Sequence, residues 1–527
     1  MATQTSVVTA KEVQEDVGTG HYTIVRKATH VDRMFYLYHR LGIQSNVVVA
    51  ARYAATHNDG PRRSLSDETV FSAMNAVISK YPELGLVGAV EPGEGSSHTL
   101  AVASLHSIDL RTCLEFVDNN VGEVDAQYLE KLHDQWPWAD GEVKPGQPWW
   151  KVFVVGRRDV VFMFHHLVCD GSFGMTFHRE FLAALNDKST LQAEKQRSTT
   201  VPLDCQRVLL SDELTEAVHR KPPMLGVLYT LFRFLFFRLF YSNFLFFNDF
   251  PKPKPLPKDA FEVPSSADRA ATKVTNYRIP ADRTDAIISA CREHGTTFTP
   301  FLTVMIAGTL AADYYPKAKV GFTRYAVDMR QVGNLEDLSA GRGKMINLAA
   351  SAPEPEWLNK YRRAFPTPSS TEEKVSPKVD REALWDLVKD YGKRMKDNRS
   401  GGQDSALYKS WLSGNTVGPT LEEFMEKTLP SLGVFMHNTF SVSNVGALRP
   451  AATATGHEAY KIEDVQFSTG SPHGGAGYHG IVFNVAGTSG GDTVINACTE
   501  AGMAPENMPR GVLDGVMARI DTLLQRG

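Results

Sequence analysis

Two apolar runs joined by a short polar turn, and followed at once by a periodic apolar pattern, constrain the fold of this chain most strongly. The runs are WWKVFVV and DVVFMFHH, and residues 156–158 (Gly-Arg-Arg) separate them. Runs of this length that are rich in Val and Phe predict two consecutive buried strands. In the next stretch, Phe173, Phe177 and Phe181 recur every four residues, which predicts a helix with one apolar face. The local unit is therefore mixed α/β.

The junction between the second run and the helix carries the pattern HHxxxDG, formed by His165, His166, Asp170 and Gly171. A neutral imidazole can accept a proton near neutral pH, so one of the two histidines is a candidate general base. If the strand includes both histidines, their side chains face opposite sides of it. Asp170 would orient the base or hold the loop, and Gly171 would allow a tight turn.

Each of these residues also has a purely structural interpretation. A buried histidine is most often a satisfied core residue, and an Asp-Gly pair before a helix is most often a turn and an N-cap. The combination favours a functional interpretation, because the four specified residues coincide at the boundary between an apolar strand and an amphipathic helix.

Strands and helices alternate in the rest of the 527-residue chain, so both halves are predicted to be α/β. In the second half, one helix is predicted to start with Thr299 as its N-cap and Pro300 at its first position. The Pro- and Lys-rich stretch PKPKPLPKD predicts an extended linker. We therefore expect an N-terminal lobe over residues 1–220, a hydrophobic segment and linker over 221–264, and a C-terminal lobe over 265–527.

The segment Gly226–Phe247, GVLYTLFRFLFFRLFYSNFLFF, is long and apolar enough to reach across a bilayer, but it contains Arg233 and Arg238. Each central arginine costs about 2.5–3.5 kcal/mol on insertion, which cancels the gain from the Leu and Phe residues. Two interpretations stay open: a helix packed against the protein, and a helix lying on a membrane surface with its arginines extended to the water.

The overall composition favours some classes of protein and argues against others. The formal net charge is −4 and no basic stripe dominates the chain, which argues against nucleic-acid binding. The five cysteines show no spacing typical of metal ligands or of a disulfide framework. The first residues, MATQTSVVTAKEVQED, have no signal-peptide pattern. We therefore expect a cytoplasmic protein, with contact to an endomembrane or lipid droplet as the alternative that segment 226–247 raises.

The stretch from PWWKVFVV to FLAALN resembles the core of the CoA-dependent acyltransferase superfamily, which includes chloramphenicol acetyltransferase, peptide-synthetase condensation domains and fungal alcohol acetyltransferases. HHxxxDG is the signature of that superfamily. The stretches RLGIQSNVVVAARY, AVDMR and FSVSNVG are similar to segments of the same group, closest to the fungal alcohol O-acetyltransferases. The DFGWG motif of the plant branch is absent from the sequence, which argues against that branch.

The resemblance implies an α/β fold of two chloramphenicol acetyltransferase-like lobes with mixed sheets and a tunnel between them. His166 would be the general base, with His165 and Gly171 as supporting residues. Asp170 would point away from the tunnel and pair with Arg330. The oxyanion of the tetrahedral intermediate would take hydrogen bonds from Ser443 and Asn444.

The resemblance also implies an O-acyltransferase that acts as a monomer on a small, fairly apolar alcohol or secondary metabolite. Acyl-CoA, most commonly acetyl-CoA, would be the co-substrate, with no bound cofactor and no metal. Two alternatives remain open at this point. One is a free-standing condensation-type enzyme that takes its acyl group from a carrier protein. The other is a catalytically silent member that binds a lipid or a partner protein.

Overall fold

A computed structural model describes residues 20–56, 64–92, 98–117, 123–187, 199–208, 225, 232, 236–237, 239–251, 265–328, 347, 349–366, 378–399, 438–449, 459–472 and 480–525. The strands found there are β1 (Tyr22–Lys27), β2 (Val47–Ala55), β3 (Leu86–Pro92), β4 (His98–Leu105), β5 (Ser107–Asp109), β6 (Leu114–Val117), β7 (Trp150–Val155), β8 (Asp159–Phe164), β9 (Thr200–Pro202), β10 (Thr272–Ile279), β11 (Val320–Asp328), β12 (Ala349–Trp357), β13 (Thr439–Leu448), β14 (Tyr460–Thr469), β15 (Ile481–Thr488) and β16 (Thr493–Glu500).

The helices found there are α1 (His30–Arg40), α2 (Asp67–Lys80), α3 (Leu110–Cys113), α4 (Ala126–His133), α5 (Gly171–Asn186), α6 (Ala281–Glu293), α7 (Phe298–Thr309), α8 (Leu358–Ala364), α9 (Arg381–Arg399) and α10 (Met508–Leu524). The mixed α/β class predicted from the sequence is confirmed. The predicted N-cap of α7 is wrong: the helix begins at Phe298, so Thr299 lies inside its first turn.

A five-stranded sheet in the order β14-β2-β8-β7-β6 carries the predicted hairpin. Strand β8 lies between β2 and β7, and all six of its residues are buried. A strand covered on both faces is expected to be apolar throughout, which explains the continuous run DVVFMF. In the turn before it, Gly156 and Arg157 both have φ of 57°, a conformation that tight turns between antiparallel strands require.

A six-stranded mixed sheet in the order β10-β16-β15-β13-β11-β12 forms the centre of the C-terminal part. Strand β13 is parallel to both of its neighbours, whereas the outer pairs are antiparallel. One strand does not follow the chain order. β14 comes from the C-terminal half, yet it pairs along its length with β2 in the N-terminal sheet, from Tyr460 opposite Ala55 to Thr469 opposite Val47. The division into lobes at 220 and 264 stays a prediction, but one strand of the C-terminal half, β14, belongs to the N-terminal sheet.

Two large hydrophobic clusters form the cores, one for each sheet. A buried polar chain joins the two parts. The Nδ1–H of His133 in α4 donates to Asn46 Oδ1 at 2.9 Å, since the amide nitrogen of Asn46 already donates to backbone carbonyls. Its Nε2 accepts from Ser468 Oγ of β14 at 2.7 Å, and Ser468 contacts Cys498 Sγ of β16 at 3.4 Å. These polar contacts link β14 both to α4 and to β16 of the other sheet.

Within the described residues, no single helix is long and apolar enough to cross a bilayer. One bent pair, Ala281–Glu293 with Phe298–Tyr314, meets the requirement by length and composition alone.

Candidate active site

The HHxxxDG motif occupies a tight turn between β8 and α5. Strand β8 ends at Phe164, so both histidines lie just beyond it, and the prediction that the strand includes them is wrong. The turn forms because the carbonyl oxygen of His165 accepts the backbone N–H of Val168 at 3.0 Å. The helix then begins at Gly171, with Asp170 as its N-cap.

His166 has the features expected of a general base. Its ring is partly exposed and stacks on Phe35 of α1, with 3.6 Å between ring centroids and 8° between ring planes. Its Nδ1 atom is buried without a hydrogen-bond partner, which leaves Nε2 as the candidate proton acceptor. Burial lowers the pKa of His166, although its own backbone, the Asp170 carboxylate and the backbone of Cys169 oppose that effect. The imidazole is therefore neutral near pH 7 and can accept a proton.

His165 is placed differently. Its ring is buried and lies 4.7 Å from the ring of His39 and 4.9 Å from that of Trp149. Its Nδ1 accepts the backbone N–H of Leu167 at 3.0 Å, so the one nitrogen of a neutral ring that could take a proton is already occupied. Burial, followed by the nearby His39 and His166, lowers the pKa of His165 far below its ordinary value. His165 therefore shapes the turn and is a poor proton acceptor.

Asp170 and Gly171 hold the start of α5. Asp170 is buried, and its Oδ1 accepts the backbone N–H of Phe173 at 2.9 Å, which satisfies one of the free N–H groups at the helix start. A side chain at Gly171 would place its Cβ only 2.8 Å from Val445 Cγ1 and 3.0 Å from the ring of Phe467. Arg330, the predicted partner of Asp170, lies outside the described residues, so that ion pair stays a prediction.

Asn347 reaches the same turn from the C-terminal half, and sequence reasoning missed it. Its amide nitrogen donates to the carbonyl oxygen of His166 at 2.6 Å and to that of Leu167 at 3.1 Å. The backbone of the candidate base is thus fixed by a residue 181 positions further along the chain. No local pattern around Asn347 indicates this contact. Phe35 was also missed, because an aromatic residue in an amphipathic helix is typical of ordinary core packing.

The two predicted oxyanion donors lie on β13, the strand whose Val445 packs close to Gly171. The amide of Asn444 is already engaged: it donates to Thr299 Oγ1 at 3.0 Å and accepts the N–H of Gly446 at 2.8 Å. Ser443 is partly exposed and pairs through its backbone with Asn484 of β15. Of the two, Ser443 is the better candidate for donating to an oxyanion.

A small pocket borders both histidines. It is lined by residues of α1, of the segment before β2 and of the motif, namely Phe35, Tyr38, His39, Gln44, Ser45, Asn46, Val47, His165 and His166. It has room for about one water molecule. The unpartnered nitrogens His39 Nε2 and His166 Nδ1 belong to residues of this lining.

Comparison with protein families finds a match to the alcohol acetyltransferase family over residues 137–331, the part that contains the motif. Among curated proteins, the chain is 24% identical over 520 residues to the probable alcohol acetyltransferase FCK4 of Fusarium pseudograminearum, covering 95% of each chain. It is 28% identical over 203 residues to the probable alcohol acetyltransferase crmB of Aspergillus fumigatus, covering 35% of this chain and 40% of that protein.

Among solved structures, the chain is similar to the trichothecene 15-O-acetyltransferase TRI3 of Fusarium sporotrichioides. The TM-score is 0.63 at 12% sequence identity, covering 98% of this chain and 97% of that one. At that sequence identity, the similarity shows a shared fold and nothing more. It confirms the predicted fold class, an α/β arrangement of two chloramphenicol acetyltransferase-like lobes with mixed sheets.

Proposed function

We propose that this acyltransferase, which is similar to the alcohol acetyltransferase family over residues 137–331, transfers an acyl group from acyl-CoA to the hydroxyl group of a small, fairly apolar alcohol. Acetyl-CoA is the expected donor. The observation that carries the proposal is the state of His166: a neutral imidazole of a partly exposed residue, held in a turn at the end of a buried strand and stacked on Phe35.

In the proposed reaction, Nε2 of His166 takes the proton of the alcohol as its oxygen forms a bond to the thioester carbonyl carbon. The electron pair of the carbonyl moves onto its oxygen, and Ser443 is the candidate donor to that oxyanion. When the intermediate collapses, the carbon–sulfur bond breaks and the CoA sulfur takes the proton back from the imidazolium. His166 is therefore neutral again at the end of the cycle.

Three features support the assignment of the base to His166 rather than to His165. The Nδ1 of His165 is occupied by the N–H of Leu167 and the residue is buried, whereas His166 is partly exposed. Stacking on Phe35 fixes the plane of the His166 ring. Asn347 fixes its backbone. A base held in this way loses little freedom when the substrate binds.

The test compares His166→Asn with His165→Asn, using a panel of acyl-CoA donors and alcohols and mass spectrometry of the ester and the released CoA. His166→Asn should lower the turnover about 10²–10⁴-fold, as the loss of a general base does. His165→Asn is the matched control, since its amide oxygen can still accept the N–H of Leu167, and it should lose far less activity. Thermal unfolding of both variants separates loss of the base from loss of the fold.

The pH profile gives a second reading of the same residue. Because the pKa of His166 is lowered, the ring stays neutral at pH values below 6.5, the ordinary pKa of histidine. The value of kcat/KM should therefore decline only at more acidic pH. Equal losses in the two variants would contradict the proposal for His166. Acyl transfer from a carrier-protein thioester, with none from any CoA donor, would contradict the proposed donor.

A further inference from the structure

An exposed apolar surface lies on the C-terminal part of the molecule, away from the HHxxxDG turn. It consists of all the large hydrophobic side chains that are exposed among the described residues, namely Leu225, Phe232, Leu239, Phe240, Phe244 and Trp357. Five of the six come from residues 225–244, and the sixth lies against that segment. Leu225 is 81% exposed and Phe240 is 65% exposed. Large apolar side chains that gather in one place on a surface mark an interaction site.

The opposite side of the same segment is firmly attached to the protein. Phe237 is 3% exposed and packs on Phe322 of β11, with ring centroids 5.7 Å apart. Further along, Leu245 is buried and forms an isolated bridge with Val320 of the same strand. The backbone of Lys319 also donates to the carbonyl oxygen of Phe244 at 2.7 Å. The C-terminal end of the segment is therefore held in place against β11.

The spacing of the exposed residues follows helical geometry. Residues 225, 232 and 239 are each helical, and a spacing of seven positions is typical of residues that share a helix face. Phe237 and Tyr241, four positions apart, lie on another face, and both contact Trp357. One face thus packs on the protein while the other presents Leu and Phe to the solvent.

The charges around this surface favour an anionic partner. From Leu225 to Asn248 the sequence contains no Asp or Glu but two arginines, and three lysines follow within PKPKPLPK. In the structure, Lys319 is exposed and its Nζ lies 4.5 Å from the centre of the Phe244 ring, at the edge of the apolar surface. An apolar face of Leu, Phe and Trp bordered by basic residues is what an interfacial helix presents to anionic lipid headgroups.

We propose that this surface lies on anionic membranes, with the exposed Leu and Phe side chains inserted among the acyl chains next to the headgroups and Lys319 facing lipid phosphates. The surface is distinct from the motif turn, so membrane binding and acyl transfer can be measured separately. A protein partner or a second copy of this chain is the competing occupant, and the experiment below distinguishes them.

The test is co-sedimentation of the full-length protein with phosphatidylcholine vesicles, with and without phosphatidylserine, at low and at high salt. Wild-type protein should bind the phosphatidylserine vesicles, and added salt should weaken that binding. The double variant Leu239→Ser and Phe240→Ser should bind at least about tenfold more weakly, since it removes two inserted side chains. Its thermal unfolding should be unchanged, because both residues are exposed in the folded protein.

A charge variant separates the electrostatic contribution. Lys319→Gln should weaken binding to phosphatidylserine vesicles about fivefold, as expected for one basic residue near the membrane. Lys389→Gln changes an exposed lysine of α9 and is the matched control, which should bind like the wild type. Light scattering reports self-association. The proposal would be overturned if the wild-type protein bound neither kind of vesicle. It would also be overturned if the wild-type protein formed a dimer that the double variant does not form.

Discussion

Three buried histidines of the N-terminal part should make the protein sensitive to acid. His39, His133 and His178 are completely buried, and burial lowers their pKa from 6.5 to about 4, about 3 and about 4. Each ring donates a hydrogen bond: His39 and His178 donate to the backbone carbonyl oxygens of Ser45 and Val49, and His133 donates to the side chain of Asn46. In the unfolded chain the same rings take up a proton as the pH falls through 6.5.

The sign and size of the effect follow from this difference. Between pH 6.5 and the lowered pKa, the unfolded state binds a proton that the folded state does not, so stability falls as the pH falls. Above 6.5 both states are neutral, and these groups have no effect. At about pH 5, each of the three rings removes about 2 kcal/mol of unfolding free energy relative to about pH 7, or about 6 kcal/mol together. That is a large part of the stability of a typical domain.

The assay is urea unfolding followed by tryptophan fluorescence at a series of pH values, since Trp138 lies in the core beside His39. His133→Gln removes one titrating ring, and the loss of stability between about pH 7 and about pH 5 should shrink by about 2 kcal/mol. His106→Gln, which changes an exposed ring, is the matched control and should leave the loss as in the wild type. A wild-type protein whose stability changes by less than about 2 kcal/mol over this range would refute the reasoning.

Two further predictions concern the motif turn. Asp170→Asn keeps a good N-cap for α5 but removes the carboxylate charge, so it should match the wild type in unfolding experiments if Asp170 only caps the helix. We expect it instead to lose about 3 kcal/mol of stability and most of the activity, because the proposed partner Arg330 would be left unpaired. Asn347→Ala removes the donor to the His166 and Leu167 carbonyls, and we expect kcat to fall about tenfold with little change in KM, measured by steady-state kinetics. Asn347→Asp, which has the same size but cannot donate, should reproduce that loss.

The local structure around the motif could be predicted from the sequence because the signals there are local. The apolar run of β8, the short turn before it and the four-residue spacing in α5 all lie within 40 residues of one another, and each pattern has one favoured conformation. The capping role of Asp170 was also available as the structural interpretation of an Asp before a helix. The predicted end of β8 lies too far along the chain, because the sequence does not show that the carbonyl of His165 closes a turn with Val168.

The contacts that join the two halves could not be predicted in the same way. The alternating pattern of β14 indicates a strand, but nothing in it specifies β2 as the partner some 400 residues earlier in the chain. The same holds for the hydrogen bond from Asn347 to the motif turn and for the one from Asn444 to Thr299. Pairing at such separation depends on the packing of the whole molecule, and a single sequence gives no measure of it.

Contacts from the C-terminal half also explain why the motif ends in a glycine. Gly171 does not have the left-handed backbone conformation that usually selects glycine. Instead, Val445 of β13 and Phe467 of β14, both from the C-terminal half, lie where its side chain would be. Even an alanine would require the side chain of Val445 or of Phe467 to shift, and Val445 lies on β13, which also carries Ser443, the candidate oxyanion donor. The four residues of the motif thus have separate tasks. His166 is the proposed base, His165 closes the turn, Asp170 caps α5, and Gly171 lets the strand from the other half approach the site.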